Sequence, residues 1–243
     1  MKKLLSVFVV LLCLQPLICL KAQTGEQRSI SNLWKGVGGK NKWNSTDFIL
    51  FSASGNDAPY LLNGRKFLIN KKSGECRFEG RTNEGQNLVV LFNYKTDKLL
   101  RYFNNGKAVA KSSSEATAAF ERISQQFVND ASLLFLPTLI DQADTKVGKV
   151  SAKIVNAEKL YTFSFQLKDN SLAGDILFNA ETGLIKQLVD REGNEYYVNG
   201  YKDVGGGLIL PTTFKSLQQT NKSTLFTTVA AFTDMEVEKF ETL

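Results

Sequence analysis

The 243-residue chain contains no histidine. That absence removes the usual general base at neutral pH, the Ser-His and Cys-His nucleophile pairs, and the commonest transition-metal ligand. Most hydrolase and zinc-site mechanisms fall with it. Cysteine is almost as scarce, since Cys13 and Cys19 lie near the start and only Cys76 remains beyond them. A lone cysteine closes no internal disulfide, so the fold must rest on its core. Also missing are a G-x-S-x-G elbow, a metal-ligand spacing and a nucleotide fingerprint. No catalytic residue, metal ligand or cofactor is assigned, and the chain is read as a non-enzyme.

Long apolar runs are equally rare, and the one at the start is broken. Lys2 and Lys3 precede Leu4 to Leu20, which Gln15 and Pro16 interrupt and Lys21-Ala22 closes. This is the order of a cleaved signal peptide over 1–22, and the run falls short of the roughly 20 residues a spanning helix needs. The residues before Cys13 and Cys19 are Leu12 and Ile18 rather than small ones, which disfavours lipid attachment at either. The expectation is one exported domain over 23–243, periplasmic or secreted, with no stable membrane span after cleavage. Loss of Lys2, Lys3 and Lys21 takes 30 basic residues to 27 against 24 acidic ones, a net charge of +3 rather than +6. The basic residues are scattered, so no nucleic-acid partner is expected.

What is present is mostly strand pattern. An opening helix is predicted from Ile30, Leu33, Trp34 and Val37, with Thr24 as a cap and Gly38-Gly39 as the stop before Trp43. Alternating or short apolar runs then predict strands over 48–53, 65–70, 75–82, 87–95 and 98–103, with a hairpin at Asn105-Gly106. A mid-chain helix follows, with Ser112 and Glu115 as a capping box and Ala116, Phe120, Ile123 and Phe127 as its apolar stripe. A second helical segment is expected to start at Asn129-Asp130, and Pro137 should stop or kink it. Strands resume over 159–167, 174–178, 184–189, 195–201, 208–215 and 223–233. About eleven strands with helices only at the start and middle make a mainly β (α+β) protein. The economical architecture is one large curved antiparallel sheet, an unclosed half-barrel, with the helices on its concave face.

The order of four segments carries a resemblance. They are the opening helix with Trp34 and Gly38-Gly39 leading to Trp43, the mid-chain helix ending in Phe135-Leu136-Pro137, the Asn179-Ala180-Glu181-Thr182-Gly183-Leu184-Ile185 hairpin, and Tyr201-Lys202-Asp203-Val204-Gly205 followed by Leu210-Pro211. Together they resemble the LolA/LolB-like fold of periplasmic carriers in outer membrane lipoprotein sorting, particularly exported members from Bacteroidota. The resemblance implies an unclosed barrel whose helices cover a cavity for acyl chains. It transfers no individual functional residue.

The candidate ligand-binding surface is the apolar set Phe120, Ile123, Phe127, Leu133, Leu134, Phe135, Leu136, Leu139 and Ile140. It is either a lid over a lipid pocket or part of a packed helix–sheet core, since both use the same residues. Phe135-Leu136-Pro137 would be the hinge of such a lid. The two functional readings are therefore a carrier of a lipid or acyl-chain ligand and a solid interaction module for an envelope protein or a glycan. Three lesser features are read as structural: Gly205-Gly206-Gly207 as a hairpin tip rather than a phosphate cradle, Glu79, Arg81, Asp175 and Glu195 as a solvated sheet face, and Cys76 as a buried, inert thiol.

Overall fold

The computed structural model describes residues 25–55, 58–62, 64–168, 171–219, 222–236 and 238–241. The expected signal peptide and the cap at Thr24 lie outside them. The first half is an antiparallel meander: β1 (Phe48–Gly55), β2 (Arg65–Asn70), β3 (Glu75–Arg81), β4 (Asn87–Asn93), β5 (Lys98–Asn104) and β6 (Lys107–Val109). Positive φ at Asn105 and Gly106 makes the last of these turns, as the dipeptide predicts. The second half returns through β7 (Lys146–Val147), β8 (Ser151–Val155), β9 (Glu158–Gln166), β10 (Ala173–Asn179), β11 (Ile185–Asp190), β12 (Glu195–Asn199), β13 (Lys202–Asp203), β14 (Ile209–Leu210), β15 (Thr213–Ser216) and β16 (Thr224–Phe232).

Fourteen of these strands form one sheet in the order β6-β5-β4-β3-β2-β1-β16-β15-β12-β11-β10-β9-β7, with β8 also on β9. The chain leaves the sheet at one edge, β6, and re-enters it at the other, β7 and β8. The segment between them holds α3 (Ser114–Leu134) and α4 (Leu136–Leu139). At about 4.8 Å per strand a flat sheet of this order would be roughly 60 Å wide. The 21 residues of α3 reach about 32 Å. The sheet must therefore curl until its two edges approach, and α3 crosses the inside of the curl. The result is the expected half-barrel, curved and unclosed.

The apolar side chains of that inner face form one core. Ile49 and Phe51 of β1, Phe67 and Ile69 of β2, Phe178 of β10 and Phe214 of β15 are all buried in it, together with Ile123, Phe127 and Leu134 of α3. A small satellite core of Phe48, Leu68 and Phe240 lies on the opposite face, where α5 (Glu238–Glu241) packs. Cys76 is buried in the main core, and burial pushes its thiol well above the usual range.

Four details differ from the sequence reading. More than eleven strands form: β7, β8 and β13 are short or largely exposed and carry little alternation. The predicted strand over 208–215 is split into β14 and β15, because Pro211 has no N–H for a ladder. The cap of α3 is Ser113 rather than Ser112, with its hydroxyl accepting from Ala116 N at 3.1 Å. Glu115 instead accepts from the Tyr102 hydroxyl at 3.0 Å and from Asn104 Nδ2 at 2.8 Å, which ties α3 to β5. Finally, α3 runs unbroken through Asn129-Asp130, and Asp130 faces inward.

The opening helix α1 (Gly25–Gly36) buries Leu33 and Trp34, Val37 is buried in the turn just after it, and a second short helix, α2 (Lys40–Ser45), carries Trp43. Asn32 donates to the Ala180 carbonyl at 3.2 Å and Lys35 to the Glu181 carbonyl at 3.0 Å, docking α1 on the β10–β11 turn. Gly183 in that turn has φ +75°, and a Cβ there would sit 1.7 Å from the Asn32 carbonyl oxygen. Gly183→Ala is therefore expected to cost about 2–3 kcal/mol in urea unfolding, from left-handed strain of roughly 1–2 kcal/mol plus overpacking. A neutral result would show that α1 is not held by this contact.

Candidate functional site

Where α3 and α4 cross the curled sheet they do not fill it completely. A cavity of about 810 Å³ remains between these helices, α2, the ends of β2 and β4, and the end of β9. It lies within the range of roughly 300–1,000 Å³ typical of small-molecule sites. Its floor is buried: Ile69, Phe127, Ala131, Phe135 and Leu167. Half-buried Trp43, Tyr94, Lys71 and Leu139 form the walls, and the rim is exposed at Lys95, Gln125, Gln142 and Lys168.

The floor is held by rings. Phe127 packs against Tyr94 at 5.2 Å, Phe67 at 5.5 Å, Phe92 at 5.8 Å and Phe51 at 6.4 Å between centroids. Phe135 ends α3 and sits between Trp43 at 5.3 Å and Phe51 at 6.0 Å. Pro137 then occupies the first turn of α4, where its missing N–H leaves no helical bond unmade. The proline thus allows the chain to turn between two helices while both stay against the core.

Of the apolar candidates, the structure brings Phe127, Phe135 and Leu139 together at the cavity. Ile123, Leu134, Leu136 and Ile140 are buried in the core, and Phe120 and Leu133 are half-buried against it. Sequence reasoning did not assign the other walls. Trp43 figured there only as the residue after the Gly38-Gly39 stop, Lys95 as the last residue of the strand expected over 87–95, and Lys71 and Lys168 stand just beyond the strands expected over 65–70 and 159–167.

The cationic groups on this site are held in place. Lys71 donates to the carbonyls of Trp43 and Thr46, the latter at 2.9 Å, and its ammonium lies 3.7 Å from the centre of the Trp43 ring. Burial lowers Lys71 to about 8, with Asp47 opposing the shift and Lys95 adding to it. Lys95 donates to the carbonyls of Lys71 at 2.7 Å and Lys72 at 2.9 Å. Lys168 pairs with Asp144 at 3.2 Å. Burial raises the Tyr94 phenol to about 12, so it stays neutral.

A second opening, of about 960 Å³, lies at the α1–α2 elbow. It is larger but more open, and beside the apolar Ile30 and Trp34 its walls include the exposed Ser31, Lys35, Gly38, Lys40 and Asn41. Its main contact is structural: Asp141 accepts from Trp34 Nε1 at 2.9 Å and from Lys40 at 2.6 Å, tying α1 and α2 to the end of α4.

The lesser features have local explanations. The N–H groups of Gly205 and Gly207 are taken by the Asp203 carboxylate at 2.9 and 3.3 Å, so an anion of the chain itself fills that loop. Glu79 accepts from Arg77 at 2.7 Å and Lys66 at 3.1 Å, and Glu195 from Gln187 at 2.7 Å.

Solved structures to which the chain is similar, all at low identity, include the following three. A domain named for outer membrane lipoprotein sorting from Vibrio parahaemolyticus matches at 9% identity and TM-score 0.41, covering 83% of this chain and 93% of its own. A DUF1329 family protein from Desulfovibrio piger matches at 12% and 0.45, covering 88% and 96%. The Mycobacterium tuberculosis lipoprotein LppX matches at 6% and 0.32, covering 86% and 97%. No protein-family model and no curated protein matches the chain.

Proposed function

We propose that the protein is a non-enzymatic component of the cell envelope that carries a lipid or another long apolar ligand between its curled sheet and the α3–α4 pair. The observation that carries this reading is the cavity whose buried apolar floor is built by α3 and the neighbouring strand ends, beside a helix pair that breaks at Phe135, just before Pro137. Export rests on the signal-peptide pattern over 1–22. Catalysis is disfavoured by the missing histidine, and transport in the aqueous envelope is a role the cavity can perform. A bound chain would lie against Phe127, Phe135 and Leu139, shielded from water as in the core.

The test is a chain-length series of saturated fatty acids, with affinity measured by displacement of a fluorescent acyl probe. Each methylene withdrawn from water contributes about 0.8 kcal/mol, so affinity should rise roughly fourfold per added carbon until the cavity is full, then level off. Absence of any uptake would overturn the carrier reading.

One observation favours the interaction-module alternative. Strand β8 lies at the sheet edge, four of its five residues are exposed, and Ile154 is 81% exposed. No strand among the described residues pairs with its outer side, which suits an added strand from an envelope protein. Lipid uptake that survives Ile154→Asp would separate the edge from the cavity.

A further inference from the structure

Among the described residues, the charged side chains that line the cavity are all cationic: Lys71 on its wall, and Lys95 and Lys168 at its rim, the last paired with Asp144. Neither Lys71 nor Lys95 is paired with a carboxylate among the described residues. Each instead spends two N–H groups on backbone carbonyls, which fixes the ammonium and leaves a third for another partner. An ammonium whose side chain is already ordered loses less entropy when it binds an anion.

The arrangement grades from apolar to cationic over the depth of one site. Phe127 and Phe135 lie at the floor, Trp43 and Lys71 halfway, and Lys95 and Lys168 at the surface. A neutral apolar chain would use only the lower half. A cationic one would be repelled at the mouth.

We infer that the ligand is an anionic amphiphile, an acyl chain whose carboxylate or phosphate head is read by Lys71 and Lys95 with Lys168 close by. This rests on the carrier reading and adds the chemistry of the head. A head placed beside Lys71 also restores what burial removed. The groups facing that ammonium are Asp47, which is itself paired with Lys72 at 2.6 Å, and Lys95, together with the Trp43 ring and the carbonyls of Trp43 and Thr46. With Lys71 near 8, an added anion favours its protonated form, so binding at pH 8 should take up protons, and affinity should fall as pH rises from 7 to 9.

The experiment compares probes that share a lauryl chain, below their micelle concentrations: laurate, dodecyl phosphate, dodecanesulfonate, dodecanol and dodecyltrimethylammonium. The expected result is that the three anions bind roughly tenfold more tightly than the alcohol, and the cation more weakly still. Dodecanesulfonate keeps its charge over the whole range, so proton uptake seen with it in buffers of different ionisation enthalpy belongs to the protein. Lys95→Gln should remove most of the preference for anions while Lys95→Arg keeps it, and circular dichroism confirms that both variants fold. Laurate and dodecyl phosphate binding alike identifies charge as the feature read. A preference for one of them names carboxylate or phosphate as the natural head. Equal binding of dodecanol and laurate would overturn the head-group inference and leave the carrier reading standing, whereas no binding of any probe would overturn both.

Discussion

Asp130→Ala is expected to destabilise the protein by about 3–5 kcal/mol, because it leaves the Arg65 guanidinium buried without its counter-charge. The two side chains meet as a parallel fork, Nε to Oδ2 at 2.6 Å and Nη2 to Oδ1 at 2.7 Å, with only 1% and 2% of their surfaces exposed. Gln126 adds a donor to Asp130 Oδ1 at 3.2 Å, and Arg65 Nη1 reaches the Gly55 carbonyl at 3.4 Å. The pair fastens α3 to β2 at the point where the helix crosses the sheet. Replacing both partners, Arg65→Met with Asp130→Leu, removes the charges together and is expected to lie within about 1–2 kcal/mol of the native stability. Urea unfolding of the two single variants and the double variant forms the cycle. A single variant that costs less than 1 kcal/mol would mean that water reaches the site.

This pair also marks the limit of what could be read from the amino-acid order. Arg65 is in phase with Phe67 and Ile69 along β2, and Asp130 follows Ile123 and Phe127 on the stripe of α3 that continues to Leu134. Each is a charge placed where the period demands an apolar residue. That signal was present, yet Asp130 read as a cap because Asn129-Asp130 precedes an apolar run, and a cap needs no distant partner. The strand pattern gave β1 to β5, β9 to β12 and β16 within a residue or two, and with them the curved sheet, since each such strand must bury one face. It could not give β8, whose side chains are exposed and bear no pattern. Nor could it tell lid from core among the mid-chain apolar residues. Phe127 and Leu134 occupy the same stripe, and only the third dimension puts a cavity beside one and solid packing around the other.

Phe127→Ala is the second large effect expected, again about 3–5 kcal/mol. Its ring is 5% exposed and touches Phe51, Phe67, Phe92 and Tyr94, which come from β1, β2, β4 and the end of β4. Deleting it opens a void against four aromatic neighbours that are fixed by the sheet, so relaxation can recover little. Phe135→Ala is expected to cost less, about 2–3 kcal/mol, because both rings border the cavity but Phe135 has two aromatic neighbours, Trp43 and Phe51, against four for Phe127. Ligand uptake should follow the opposite order in proportion to stability. Phe135→Ala should weaken acyl-probe binding at temperatures where the variant is fully folded, since it enlarges the site and frees the turn before Pro137. Phe127→Leu, which keeps most of the buried volume, should restore most of the stability and bind the probe within a few-fold of the native protein. If Phe135→Ala costs as much as Phe127→Ala and leaves binding unchanged, the α3–α4 turn is packed core and the chain enters the protein elsewhere.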